Sequence, residues 1–323
     1  MSGITLPYSI TVALLLAAAV AHAQDPHFAG VQELNIWYNP ALKTNKDAVA
    51  NIRLRNVNYP GIISYSSKAA TIELPLLSKE DKGDDATAFV NLAAGGSTDK
   101  SNDNFMSTST AMLALSYALP LNNNNTYMAL GFQGNYSYSR VGTGSYYEIP
   151  NQFDKYGALA AVMAADPYQS GFNHGYFTAG VGVALFHTEE EKQWYIGGSI
   201  RHFNRPYREW SHTTRLPAND GIQGGYTAAI SSADNISGYG NFTWQAGTSE
   251  QIAGIRYSRY LDDSTRNAFF IGVSYRAGDA IIPDAALHFG KSQLACYYEL
   301  NTAHLPSGRY PRRTWELSYS LIL

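Results

Sequence analysis

The sequence predicts an all-β chain: a transmembrane outer-membrane β-barrel of about fourteen antiparallel strands, preceded by an N-terminal plug segment. Three observations predict it. Apolar residues recur at every second position in one segment after another, the period of a strand with a dry face and a wet face. After Gln24 no stretch is apolar for the roughly 18–20 residues that a membrane helix needs. The connections between the predicted strands alternate between long and short, as the two rims of a membrane barrel do.

Composition fits this class. Charged residues are 15% of the 323, against roughly 25% in soluble domains. Aromatics are 13%, and 24 residues are Tyr. Low charge and abundant Tyr suit aromatic girdles at two membrane interfaces. A Tyr-rich soluble sandwich would share both features, so composition alone does not decide. The net charge of −3 does not point to a nucleic-acid partner.

Residues 1–23 read as a secretory signal. "SITVALLLAAAV" (Ser9 to Val20) is its apolar core, and Ala21-His22-Ala23 is an A-x-A cleavage site before Gln24. Met1 to Ser9 carries no Lys or Arg, which is unusual for such a signal. The competing reading is a short membrane anchor, but the run is shorter than a span. The single cysteine, Cys296, leaves no disulfide framework. Within "LACYYEL" it reads as a small hydrophobe on a strand.

Residues 24–47, "QDPHFAGVQELNIWYNPALKTNKD", fit no strand. Asp25-Pro26 and Asn39-Pro40 are turn signals, and Phe28, Trp37 and Tyr38 are large side chains that want cover. A wide lumen needs filling unless it conducts, so the segment is expected to be a plug or a periplasmic docking segment. A flexible lead-in is the alternative.

The barrel is expected over 48–323. Its strands are predicted at 48–58, 69–77, 87–95, 107–119, 126–140, 174–187, 193–203, 221–231, 237–246, 250–260, 266–276, 280–290, 292–301 and 312–323. In "AMLALSYAL" one face holds Ala111, Leu113, Leu115, Tyr117 and Leu119. In the closing "TWELSYSLIL" Trp315, Leu317, Tyr319, Leu321 and Leu323 alternate with polar residues up to the chain end. That strand is expected to pair with the first and remove the last open edge. The odd-numbered connections are 59–68, 96–106, 141–173, 204–220, 247–249, 277–279 and 302–311. All the long ones fall in that set, with 247–249 and 277–279 as short exceptions. An N-terminus in the periplasm puts this set outside.

Arg53 and Arg55 share one face of the first strand. With Ile52 and Leu54 toward lipid, both guanidinium groups point into the lumen, where an unpaired charge is too costly to persist. Carboxylate or plug partners are expected, with the region of Asp25 as a candidate.

A search for catalytic and metal chemistry finds no site. The histidines of the mature chain show neither H-x-H nor H-x-x-x-H spacing, and structural zinc also favours cysteine. Ser199 and His202 are three apart and would sit on opposite faces of a strand. Asp262-Asp263 offers a calcium contact or a solvated turn, the latter preferred. No catalytic residue, metal or cofactor is expected. Partner contacts are expected on two outward loops. The first, 141–173, carries Tyr146, Tyr147, Phe153 and Tyr156; it either constricts the pore or presents an outer surface. The second, 204–220, carries Arg205, Arg208 and Trp210, which suit a protein contact or a lipopolysaccharide-facing rim.

"QDPHF" and "NIWYNPAL" resemble the opening of the PorP/SprF family of type IX secretion membrane proteins. "WYIGGSIRHFNRP" (Trp194 to Pro206), "FFIGVSYRAGDAI" (Phe269 to Ile281), "ACYYELNTAHL" and "RTWELSYSL" continue the resemblance in order along most of the chain. The last stretch has Thr314-Trp315-Glu316 where the family usually has S-H-E. The resemblance implies an outer-membrane barrel of the fatty-acid-transporter type. It also implies a non-enzymatic partner of the type IX machinery, serving export or surface attachment of large adhesin-type cargo, often in gliding bacteria. The partners so implied are outer-membrane lipid, secretion components and a secreted cargo domain. A porin or a fatty-acid-transporter-like channel for small molecules is the alternative.

Overall fold

A computed structural model describes residues 28–60, 63–76, 87–101, 106–121, 125–141, 153–154, 157–158, 172–189, 192–207, 215–261, 267–302 and 312–323. Fourteen antiparallel strands close into one barrel. They are β1 Val49–Tyr59, β2 Ile63–Leu76, β3 Phe89–Ser101, β4 Met106–Pro120, β5 Thr126–Val141, β6 Phe172–Thr188 and β7 Lys192–Arg201. Then follow β8 Asn219–Ala229, β9 Asp234–Gln245, β10 Thr248–Tyr260, β11 Ala268–Arg276, β12 Ala280–Phe289, β13 Ser292–Asn301 and β14 Arg313–Ile322. Each strand pairs with its sequence neighbour, and β14 returns to β1 from Asn58↔Arg313 to Val49↔Ile322. The Leu323 amide donates to the Ala48 carbonyl at 2.9 Å, so the seam is sealed to the chain end. A closed sheet satisfies every backbone group without water, as a bilayer requires.

The side-chain distribution is inside-out relative to a soluble protein. On β1, Ile52 is 52% exposed while Asn51 and Arg53 are buried. On β14, Trp315, Leu317 and Tyr319 face outward, and Thr314, Glu316 and Ser318 face in, buried. The outer surface is an apolar band that only lipid can cover. Cys296 points outward within it.

The strand count agrees with the sequence reading, but two strands run six residues past an expected bound. The second begins at Ile63 rather than 69, and the third runs to Ser101 rather than 95. Most of the extra residues are small or polar, among them Ser64, Ser66, Ser97 and Asp99. They lack apolar alternation and yet pair with each other, as in Ser67↔Asp99, where the hydroxyl donates to the carboxylate at 2.6 Å. Lipid imposes period two only along the band, so a strand end beyond it carries no such signature. Connections 59–68 and 96–106 accordingly shrink to 60–62 and 102–105. The rim with 142–171, 202–218 and 302–312 still holds the two longest spans, but 77–88 on the opposite rim is one residue longer than 302–312. The two short exceptions are tight hairpin turns: Ala246 and Gly247 have φ of 53° and 81°, and Gly278 has φ of 70°. Such turns match the twist of paired strands.

Candidate functional site

The lumen holds a constellation of buried charge that the fold assembles from distant parts of the chain. Residues 28–38 include a short 3₁₀ turn, Val31–Leu34, and a single helical turn, Asn35–Tyr38. Phe28, Leu34, Ile36, Trp37 and Tyr38 are all buried and pack on lumen-facing Ala69, Ala93, Met112, Ile252 and Ile282. The barrel interior thus acquires a hydrophobic core supplied by a segment that is not part of the wall.

Glu33 is the centre of the polar part. One carboxylate oxygen accepts from Arg53 Nη2 at 2.7 Å on β1. The other accepts from Arg256 Nη1 at 3.0 Å on β10 and from the Tyr297 hydroxyl at 2.7 Å on β13. Arg53 also pairs with Glu316 on β14, and Arg256 with Asp284 on β12 at 3.0 Å. Glu316 in turn accepts the backbone amides of Ala29 at 2.7 Å and Gly30 at 3.3 Å. Burial opposes ionisation of Glu33, but Arg256 and Arg53 outweigh it and hold its carboxyl down at about 2. At neutral pH the cluster therefore has an ionised Glu33 facing two guanidinium groups.

A second attachment lies at Asn39-Pro40-Ala41. The Asn39 side-chain amide donates to the carbonyls of Val183 and Gly198, each at 3.2 Å, and to Gln223 Oε1 at 3.1 Å. Its oxygen accepts the Ala41 amide at 2.9 Å, forming an Asx-type turn. Ser199 Oγ donates to the Tyr38 carbonyl at 2.9 Å. The corner fits because the wall has no side chains there. A Cβ at Gly131 would collide with the backbone of Pro40 and Ala41, and one at Gly182 with Asn39. Beyond the corner Leu42 joins Phe89, Tyr127 and Phe186, and Lys43 pairs with Glu73 at 3.4 Å.

Above Glu33, toward the rim of long loops, Glu299 gathers Arg55 at 2.8 Å, Arg276 at 3.1 Å and Arg312 at 3.0 Å. A cavity of about 540 Å³ opens over this group. Arg53 and Arg55 both face the lumen. Arg53 meets Glu33 and Glu316, whereas Arg55 meets Glu299 on the wall. Asp25 and Pro26 lie outside the described residues, as do Tyr146, Tyr147, Tyr156, Arg208 and Trp210. Phe153 is described by its backbone alone, paired with Ala158. The opposite-face argument for Ser199 and His202 fails. β7 ends at Arg201, His202 takes φ of 55°, and both side chains are buried. The Ser199 hydroxyl is engaged by Tyr38 and Gln223 instead. Among the described residues no group of three or more His, Cys, Asp or Glu could hold a metal ion.

Sequence reading missed Glu33, Arg256, Asp284, Tyr297 and Glu316 as one unit. A usable signal existed: each charged member on the wall is an ionisable residue at an inward parity position within a membrane-length strand.

A family model described as type IX secretion system membrane protein PorP/SprF matches residues 20–321. The chain belongs to this PorP/SprF family. As a PorP/SprF protein with an outer-membrane-type barrel, it is a type IX secretion-associated protein of the outer membrane. No curated protein matches the chain. Among solved structures it is similar to the CymD monoaromatic hydrocarbon channel, at 10% identity and a TM-score of 0.50, covering 94% of each chain. It is also similar to a deletion mutant of the TodX monoaromatic hydrocarbon channel, at 7% identity and a TM-score of 0.52, covering 89% of this chain and 94% of that one. At such identities the likeness concerns the fold. The Asn39-Pro40-Ala41 stretch that carries the resemblance is the corner seated at Gly131 and Gly182, and the closing stretch of this chain carries Glu316.

Proposed function

We propose that residues 24–47 are a plug and that the protein is a non-enzymatic, non-conducting partner barrel. In this reading it supports export or surface attachment of large adhesin-type cargo by the type IX machinery. The observation that carries the reading is the double attachment of 28–47 inside the lumen, to β1, β10, β13 and β14 through charge and to β5–β8 through shape. A mobile lead-in needs neither. The outward loops with Tyr146, Tyr147, Phe153, Tyr156, Arg205, Arg208 and Trp210 are the partner surface in this proposal. Single-channel conductance in planar bilayers tests it, with and without deletion of Gln24 to Asp47. A closed intact barrel that opens on deletion supports the plug, and co-purification of secretion components from membranes then tests the partnership. Steady conductance by the intact barrel overturns it. The cavity of about 540 Å³ over Glu299 favours one second reading, a gated passage for small polar solutes. That reading requires solute-dependent opening of the intact barrel.

A further inference from the structure

A separate groove lies on the outer wall, at the rim that carries 142–171, 202–218 and 302–312. Its volume is about 480 Å³, and its lining includes Arg205, Arg215, Asp220, Trp244 and Gln245. Asp220 and Trp244 face each other across β8 and β9, and Asp220 pairs with Ile200 on β7. Ile200 and Ile222 are exposed outward at this edge, where the wall meets lipid. The groove therefore sits where the apolar band gives way to cations, with an indole at the boundary. That is the arrangement of a bilayer interface.

Among the described residues both arginines are positioned without a carboxylate partner. Arg205 sits at φ of 43° in the left-handed region. Arg215 lies over the Tyr207 ring at 4.6 Å and donates to the Tyr207 hydroxyl at 3.1 Å. An isolated bridge between Tyr207 and Arg215 joins the two ends of the loop. Among the described residues no carboxylate pairs with either guanidinium, and Asp220 is the only acidic group in the lining. Two exposed cations thus face one carboxylate beside a lipid-covered wall. Guanidinium forks match phosphate oxygens better than any other abundant membrane group. The start of β1 and the end of β14 lie at the opposite rim, the rim of the mostly shorter turns, which in membrane barrels is periplasmic, so the groove faces the outer leaflet.

We propose that this groove binds the phosphate-bearing headgroup of an outer-leaflet lipid and so fixes the depth and tilt of the loop rim. The reading is independent of the plug, and it assigns Arg205 to lipid rather than to a protein partner. It is tested by native mass spectrometry of the full chain in detergent with an equal mixture of bis-phosphorylated and dephosphorylated lipid A. The expected result is selective retention of the phosphorylated lipid, reduced roughly tenfold in R205A/R215A. Arg259→Ala, on the opposite rim, should retain it as the parent does, and inorganic phosphate should not displace it. Unchanged heat-modifiable migration on gels would confirm that each variant is a folded barrel. Equal retention of both lipids, or undiminished retention by the double variant, overturns the proposal. Displacement by inorganic phosphate alone also overturns it, assigning the cations to a free anion.

Discussion

The two attachments of residues 28–47 use opposite physics. At Glu33 the lumen supplies side chains: two guanidinium groups, two further carboxylates and a phenol, all brought within hydrogen-bond reach. At Asn39-Pro40-Ala41 the lumen withholds them: Gly131 and Gly182 leave bare backbone, and the corner presses into it. The first attachment depends on every charge being matched, because a buried ion without its partner costs more than the pair gains. The second depends on shape, and Asn39 satisfies carbonyls that any register shift would lose. The ionic attachment is therefore the one that solution conditions can loosen, and the glycine cradle is the one that sets where the segment sits.

The sharpest way to break this contrast is Arg53→Ala. It leaves Glu33 and Glu316 close together in the lumen with Arg256 alone to offset them. The expected loss is on the order of 3–5 kcal/mol, the usual cost of removing one partner of a buried pair. Limited proteolysis should then cut between Phe28 and Lys43, and the barrel should begin to conduct. Protection equal to that of the parent would show that charge does not hold the segment.

Gly131→Val should come next, at about 1–3 kcal/mol, the range for forcing atoms into filled space. Its effect should be local. Hydrogen exchange should rise at the Ala41 and Leu42 amides, while Ala29 and Gly30, bonded to Glu316, keep their protection. Gly198→Ala is the control, since a Cβ there meets its nearest neighbour, the Gly221 carbonyl, only at 3.8 Å. Equal loosening at both attachments would mean that they form one unit rather than two.

The contrast also explains what the sequence disclosed. Lipid writes its period onto the chain, so β14 was legible from Trp315, Leu317 and Tyr319 alone. It writes nothing onto strand ends beyond the band, which is why Ile63 to Lys68 read as a loop. Arg53 and Arg55 were legible as lumen charges because parity with Ile52 and Leu54 fixes their direction. Their partners were not, because Glu299 and Glu316 reach them only through barrel closure and Glu33 only through the seating of 28–38 in the lumen, and neither leaves a local pattern. The strand glycines carry no such sign in the sequence. At Gly131 and Gly182 they are spaces, and a space is visible only once its occupant is placed.

The smallest predicted effect is the pH response of the ionic attachment. Glu33 has its carboxyl lowered from an ordinary value of 4.5 to about 2. A lowered acid stabilises the docked state above the free value and loses that contribution as pH falls through the docked value. Acid should therefore weaken the Glu33 attachment progressively between pH 4.5 and 2, by about 1 kcal/mol at roughly pH 3.5. Hydrogen exchange at Ala29 and Gly30 should quicken in that window, after correction for intrinsic rates, before exchange at Ala41 and within the β5–β6 ladder. Glu33→Gln keeps the shape and removes the titrating group, so its attachment should be weaker at neutral pH and flatter across the window. If the parent and Glu33→Gln respond to acid alike, Glu33 is not the titrating element. If Ala41 loosens first, the cradle is the weaker attachment and the division between charge and shape is reversed.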